Sequence, residues 1–117
     1  MSANHGLNDE TVSQIHGVLA RFPEVEKAVL YGSRAKGSFK PGSDVDLTLL
    51  GAGVTPKILS QIQGELEDGL LPYTFDVSIL GQITRADLLE HIKRVGVVFY
   101  EKKPMAEDRG RTTRGVV

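Results

Sequence analysis

Two short stretches limit the folds open to this chain more than anything else in it. Asp44-Val-Asp-Leu-Thr-Leu-Leu50 and Tyr73-Thr-Phe-Asp-Val-Ser-Ile-Leu80 both alternate polar and apolar residues. That is the period of a strand with one face buried. The segments around them keep a helical period instead. Val12, Ile15, Leu19 and Phe22 form one stripe, with Asn8 as N-cap, Asp9 and Glu10 in the first turn, and Pro23 after it. Ile58, Leu59, Ile62 and Leu66 form a second, opened by Thr55-Pro56 and closed by Gly69. Leu88, Leu89, Ile92 and Val95 form a third, closed by Gly96, with Thr84 and Asp87 spaced as a capping box. Val25 to Tyr31 and Val97 to Tyr100 read as further strands, and Ser33 to Gly37 as at most one helical turn. The order predicts an α+β domain: a small mixed β-sheet with helices mainly on one face.

Composition removes whole classes of chemistry. The 117 residues include no cysteine, so disulfides, thiolate metal sites and cysteine nucleophiles are out. No apolar run approaches the ~20 residues of a membrane span, and the expected location is cytoplasmic. The net charge is −1, which gives no global field for nucleic acid. Residues 1–100 carry nine basic and twelve acidic side chains, and residues 101–117 five and three. The expected organisation is one domain over residues 1–100 and a polar, flexible tail over 101–117.

Asp44 and Asp46 share a strand face, about 6.6 Å apart at ~3.3 Å per residue. Two such carboxylates can lean onto one magnesium ion, whose ligand oxygens stand about 3 Å apart. An isolated Asp-x-Asp is most often a solvated strand face, so the neighbourhood decides. Tyr31-Gly32-Ser33 follows a strand. A glycine there lets backbone approach a ligand, Ser33 adds a hydroxyl, and Arg34 and Lys36 add cations. An anion site and a cation site thus lie about ten residues apart at the ends of neighbouring strands, as a magnesium-bound nucleoside triphosphate requires. Asp76 sits opposite Phe75 and Val77 on its strand. If that strand adjoins the first, three carboxylates converge, a ligand set suited to in-line attack on phosphorus. His5, His16 and His91 share no ligand spacing and read as surface or helix-face residues, and Tyr31 and Tyr100 as core-edge residues.

Gly32-Ser33-Arg34-Ala35-Lys36-Gly37 followed by Ser43-Asp44-Val45-Asp46-Leu47 resembles the signature of the polymerase β-like nucleotidyltransferase superfamily. More narrowly, it resembles minimal nucleotidyltransferases, the MNT proteins encoded beside helical HEPN proteins in prokaryotic toxin–antitoxin pairs. The resemblance spans about residues 8–100. It implies that Gly32 and Ser33 contact the triphosphate, that Asp44 and Asp46 bind Mg2+, and that Asp76 completes the metal site and promotes deprotonation of an acceptor hydroxyl. Lys36 stands where the family often has arginine, keeping the charge without the bidentate fork.

The function so implied is a magnesium-dependent adenylyltransferase. It would move AMP from ATP to a hydroxyl of a HEPN partner and act as its antitoxin, with Arg34 helping to neutralise charge. The alternative is a binding module of the same fold, a nucleotide-binding antitoxin or sensor without turnover. A glycosyltransferase Asp-x-Asp site is disfavoured, because such enzymes need a larger donor-binding domain.

Overall fold

The computed structural model describes residues 5–40, 42–69 and 71–102. Helix α1 (Asp9–Ala20) begins where the Asn8 side chain accepts the Thr11 N–H, and a turn through Phe22 leads into β1 (Lys27–Tyr31). The single-turn helix α2 (Gly32–Lys36) follows β1 without a linker and ends on Gly37, whose φ of 84° is left-handed. Then come β2 (Val45–Leu50), α3 (Pro56–Asp68), β3 (Phe75–Ile79), α4 (Ala86–Val95) and β4 (Val97–Glu101).

The sheet order is β3-β2-β1-β4. β1 runs antiparallel to both β2 and β4, whereas β2 and β3 are parallel. Parallel neighbours need a crossover of a dozen or more residues, and α3 supplies it. The sheet is mixed for that reason.

One face of the sheet carries the core. Ala28 and Leu30, Val45, Leu47 and Leu49, and Phe75, Val77 and Ile79 pack against Ile15 and Leu19 of α1 and Ile62 and Leu66 of α3. Helices α1 and α3 therefore cover this side together, tied at the surface by Arg21 to Glu65. Helix α4 lies across β1 on the other side, where Gly96 abuts Val29 and the His91 ring meets Tyr31 edge-on. The helices thus sit mainly, though not wholly, on one face.

The elements run as the periodicity predicts, with ends displaced by one or two residues. The capping box at α4 does not form. Arg85 occupies the N-cap position without a side-chain cap, and its guanidinium takes the Asp87 carboxylate at 2.7 Å. An arginine two residues before the aspartate competes directly for the group the box needs. Of the expected tail over 101–117, Glu101 belongs to β4, and residues 103–117 lie outside the described residues. No described helix is long and apolar enough to cross a membrane.

Candidate active site

Strand pairing builds the site. Tyr31 stands opposite Asp46, and Asp46 is in register with Asp76, so one row crosses three strands. The alternation that buries Leu30, Leu47 and Val77 turns this row to the opposite face. Adjacent strands lie ~4.8 Å apart, which brings the Asp46 and Asp76 carboxylates side by side. Asp44 stands one residue ahead of β2, exposed; the strand begins at Val45, whose N–H reaches the Thr74 carbonyl at 2.8 Å.

Gly32 closes the other side. Its φ of 78° lies where side chains are rarely tolerated, and a Cβ there would collide with the Asp46 carboxylate, 3.2 Å from its Cγ. Both constraints demand glycine. The turn and the carboxylate thus touch across the β1–β2 pair, and Ser33, half-buried, opens α2 beside them.

The electrostatics follow from this crowding. Burial, then the charges of Asp76 and Asp44, push the Asp46 carboxyl up to about 6, with Arg34 pulling weakly the other way. Tyr31 is 7% exposed. Its phenol is raised above 10.0 chiefly by burial, a Ser78 hydrogen bond opposing and Asp76 and Asp46 adding to the rise. Behind the row, the Ser78 hydroxyl donates to Thr48 Oγ1 at 3.0 Å, so the polar groups deeper on this face are satisfied.

The donor set is oxygen only, as a hard divalent cation prefers, and its three mutually repelling carboxylates want positive charge. Asp44, Asp46 and Asp76 would therefore hold Mg2+. Among the described residues, no three His, Cys, Asp or Glu side chains are already drawn together as a metal cage.

Arg34 departs from its expected place. Its side chain is buried, at 2% exposure. Nη1 donates to the His5 carbonyl at 2.8 Å, Nη2 and Nε donate to the Ser43 carbonyl at 3.0 and 3.3 Å, and the guanidinium lies 5.1 Å from both the Phe39 and Tyr73 ring centres. With three of its N–H groups on main-chain carbonyls and its head buried, Arg34 pins the loop between the glycine turn and β2 and does not offer its head to a phosphate. Lys36 is exposed at the end of α2.

Of the histidines, His16 and His91 sit on helix faces as the sequence suggests, whereas His5 does not. His5 is buried, its Nδ1 accepting the Leu7 N–H at 3.1 Å. Burial, helped by Arg34, lowers its pKa. His16 packs on Phe99 and Tyr100, with Nε2 2.7 Å from the Phe99 carbonyl. His91 Nε2 accepts the Gly32 N–H at 3.1 Å, which places it at the site. The sequence carries no motif for this role and places His91 only on the stripe with Leu88, Ile92 and Val95 that α4 turns toward the sheet.

A mixed four-stranded sheet with a carboxylate row beside a glycine turn defines a small nucleotidyltransferase-fold domain. Comparison with known proteins agrees. The profile of the "Polymerase beta, Nucleotidyltransferase" family matches residues 13–105, and the chain belongs to that family. No curated protein matches it. A chain in the crystal structure of a toxin–antitoxin with AMP-PNP superposes with a TM-score of 0.63 at 18% identity, covering 83% of this chain and 76% of that one. A chain from a tri-AMPylated Shewanella oneidensis HEPN toxin in complex with MNT antitoxin gives 0.62 at 16%, covering 82% and 74%. At such identities the likeness establishes the fold.

Two outcomes are expected. Arg34→Ala should lower unfolding free energy by about 2–4 kcal/mol in urea titration, because it leaves two carbonyls without their donor. Asp46→Asn should stabilise the metal-free protein. The folded carboxyl titrates near 6 against an ordinary 3.8, so the folded state holds its proton more tightly than the unfolded state. Ionisation penalises the fold increasingly as pH rises through that window and fully above it. In EDTA at pH 7.5 the variant should be more stable by about 1–2 kcal/mol, the full shift being discounted for a half-exposed group, and the gap should shrink toward zero near pH 4.

Proposed function

We propose that this protein is a magnesium-dependent adenylyltransferase that moves AMP from ATP to an acceptor hydroxyl on a helical HEPN partner and thereby acts as its antitoxin. The observation that carries this reading is the contact between the Gly32 turn and Asp46, with Asp76 in register beside it. An approach surface for phosphate and an oxygen-donor set for a cation meet there.

Each residue has a physical task. Gly32, with no side chain, lets the triphosphate approach the backbone, and Ser33 offers its hydroxyl and N–H. Asp44 and Asp46, with Asp76 completing the set, would hold Mg2+, which would supply charge neutralisation at the triphosphate. Asp76, exposed at the open edge of the row, draws the proton from the acceptor hydroxyl. The acceptor oxygen then bonds to the α-phosphorus, the bond to the α,β-bridging oxygen breaks, and pyrophosphate leaves. Lys36 adds positive charge from α2. Arg34 acts at a distance, by holding the loop.

The sheet, its helices and the site use nearly all of the described residues, and β3 leaves Asp76 open on the sheet edge. A small acceptor would find few contacts there, whereas a macromolecule brings its own. The fold neighbour from Shewanella oneidensis, an AMPylated HEPN toxin bound to an MNT antitoxin, supports a helical protein in that role. The neighbour with AMP-PNP supports an adenine nucleotide as the donor.

Asp44→Ala combined with Asp46→Ala should abolish magnesium-dependent nucleotide binding in calorimetry while the protein stays folded; undiminished affinity would refute the site. Asp76→Asn separates an enzyme from a mere binder. It should slow AMP transfer by about 10²–10⁴-fold with a much smaller effect on nucleotide binding, and wild-type transfer would make Asp76 a bystander. Co-expression with a HEPN protein encoded next to this one should give a stable complex on size exclusion and, with ATP, a mass gain of one or more AMP units on the partner. A partner that neither binds nor gains mass would leave the antitoxin reading without support.

A further inference from the structure

Gly32 joins β1 to α2, between the strand-paired Tyr31 and the helix it opens, and has no side chain with which to pack. Its φ is positive, and the group that meets its N–H comes from another element. α4 provides that group. The His91 Nε2 accepts the Gly32 N–H at 3.1 Å, and the ring stands edge-on to Tyr31, the residue just before the glycine, at 6.2 Å and 78°. Accepting at Nε2 requires a neutral ring with its proton on Nδ1.

α4 is itself firmly placed. Ile92 beside the histidine is buried, the Gly96 N–H closes the helix on the Ile92 carbonyl at 2.8 Å, and Gly96 abuts Val29, where a Cβ would come within 2.8 Å of Cγ1. His91 thus transmits the position of a packed helix to a residue with no side chain of its own.

We propose that His91 is a positioning residue for the nucleotide site. By holding the Gly32 N–H it keeps the turn in the observed pose, packed against the Asp46 carboxylate, and aims Ser33 toward the phosphates. The inference rests on the nucleotide-binding reading above. It also assigns the donors: the Gly32 N–H is committed to His91, so the phosphate-facing donors of the turn are the Ser33 N–H and hydroxyl.

The test uses the full chain with magnesium and the α,β-methylene analogue of ATP, which binds without transfer. Calorimetry, thermal melting and imidazole 15N NMR are compared for wild type, His91→Ala, His91→Gln and His91→Asn. In wild type Nε2 should be the unprotonated nitrogen. His91→Ala should weaken binding of the analogue about tenfold, the scale of one lost hydrogen bond. His91→Gln, whose side-chain oxygen stands where Nε2 does, should recover most of that loss, and His91→Asn, one atom shorter, should not. Melting temperatures of the Gln and Asn variants should match within a few degrees, so that affinity and stability part company.

A proton on Nε2, undiminished affinity in His91→Ala, or affinity that merely follows melting temperature across the variants would overturn the proposal. Wild-type protein that fails to bind the analogue would refute the nucleotide reading itself, and this proposal with it. Wild type that binds, alongside a His91→Ala that binds equally well, would refute the role of His91 alone.

Discussion

The register of β1 against β2 is the constraint on which the site depends. Setting Tyr31 opposite Asp46 brings the end of one strand, where the chain turns through Gly32, onto the carboxylate of the next. A slip of one residue would turn Asp46 into the core and Leu47 out to the site. The slip is blocked by hydrophobic burial, because Leu30, Leu47 and Leu49 are fully buried only in the observed pairing. The core is thus what places the polar row. The parallel pairing of β3 then adds Asp76, and it depends in turn on α3 being long enough to cross the sheet.

The carboxylate row opposes the stability that positions it. Burial and two neighbouring charges raise the Asp46 carboxyl to about 6, so near neutral pH the fold carries an ionised group that its surroundings disfavour. A sheet selected for stability alone would place an apolar or neutral residue there. Strain of this kind gathers where charge is to be met by a ligand, and a cation that relieved it here would also serve the proposed chemistry.

Much of this was legible in the residues. Alternation announced β2 and β3, and the two long helices followed from apolar stripes with proper caps at Asn8 and Thr55. Asp44, Asp46 and Asp76 were visible as a set because strand alternation puts like parity on one face, a purely local rule, and Gly32 because a glycine directly follows a strand. What escaped depended on contacts distant in sequence. Arg34 looks like a free cation beside a phosphate turn, and only the approach of His5, Ser43, Phe39 and Tyr73 turns it inward. His91 has no motif, and its role exists only once α4 lies across β1, fifty-nine residues from its partner. The capping box at Thr84 failed for a local reason that pattern matching overlooks, since a closer guanidinium took its aspartate.

The buried guanidinium has a kinetic and entropic consequence. Residues between a glycine turn and a strand normally sample many conformations, and a ligand bridging both ends would have to quench that freedom on arrival, which subtracts from its affinity. Here the cross-brace from Arg34 to the Ser43 carbonyl makes that reduction part of folding. A ligand spanning the two halves of the site would therefore lose less of its affinity to ordering the chain between them.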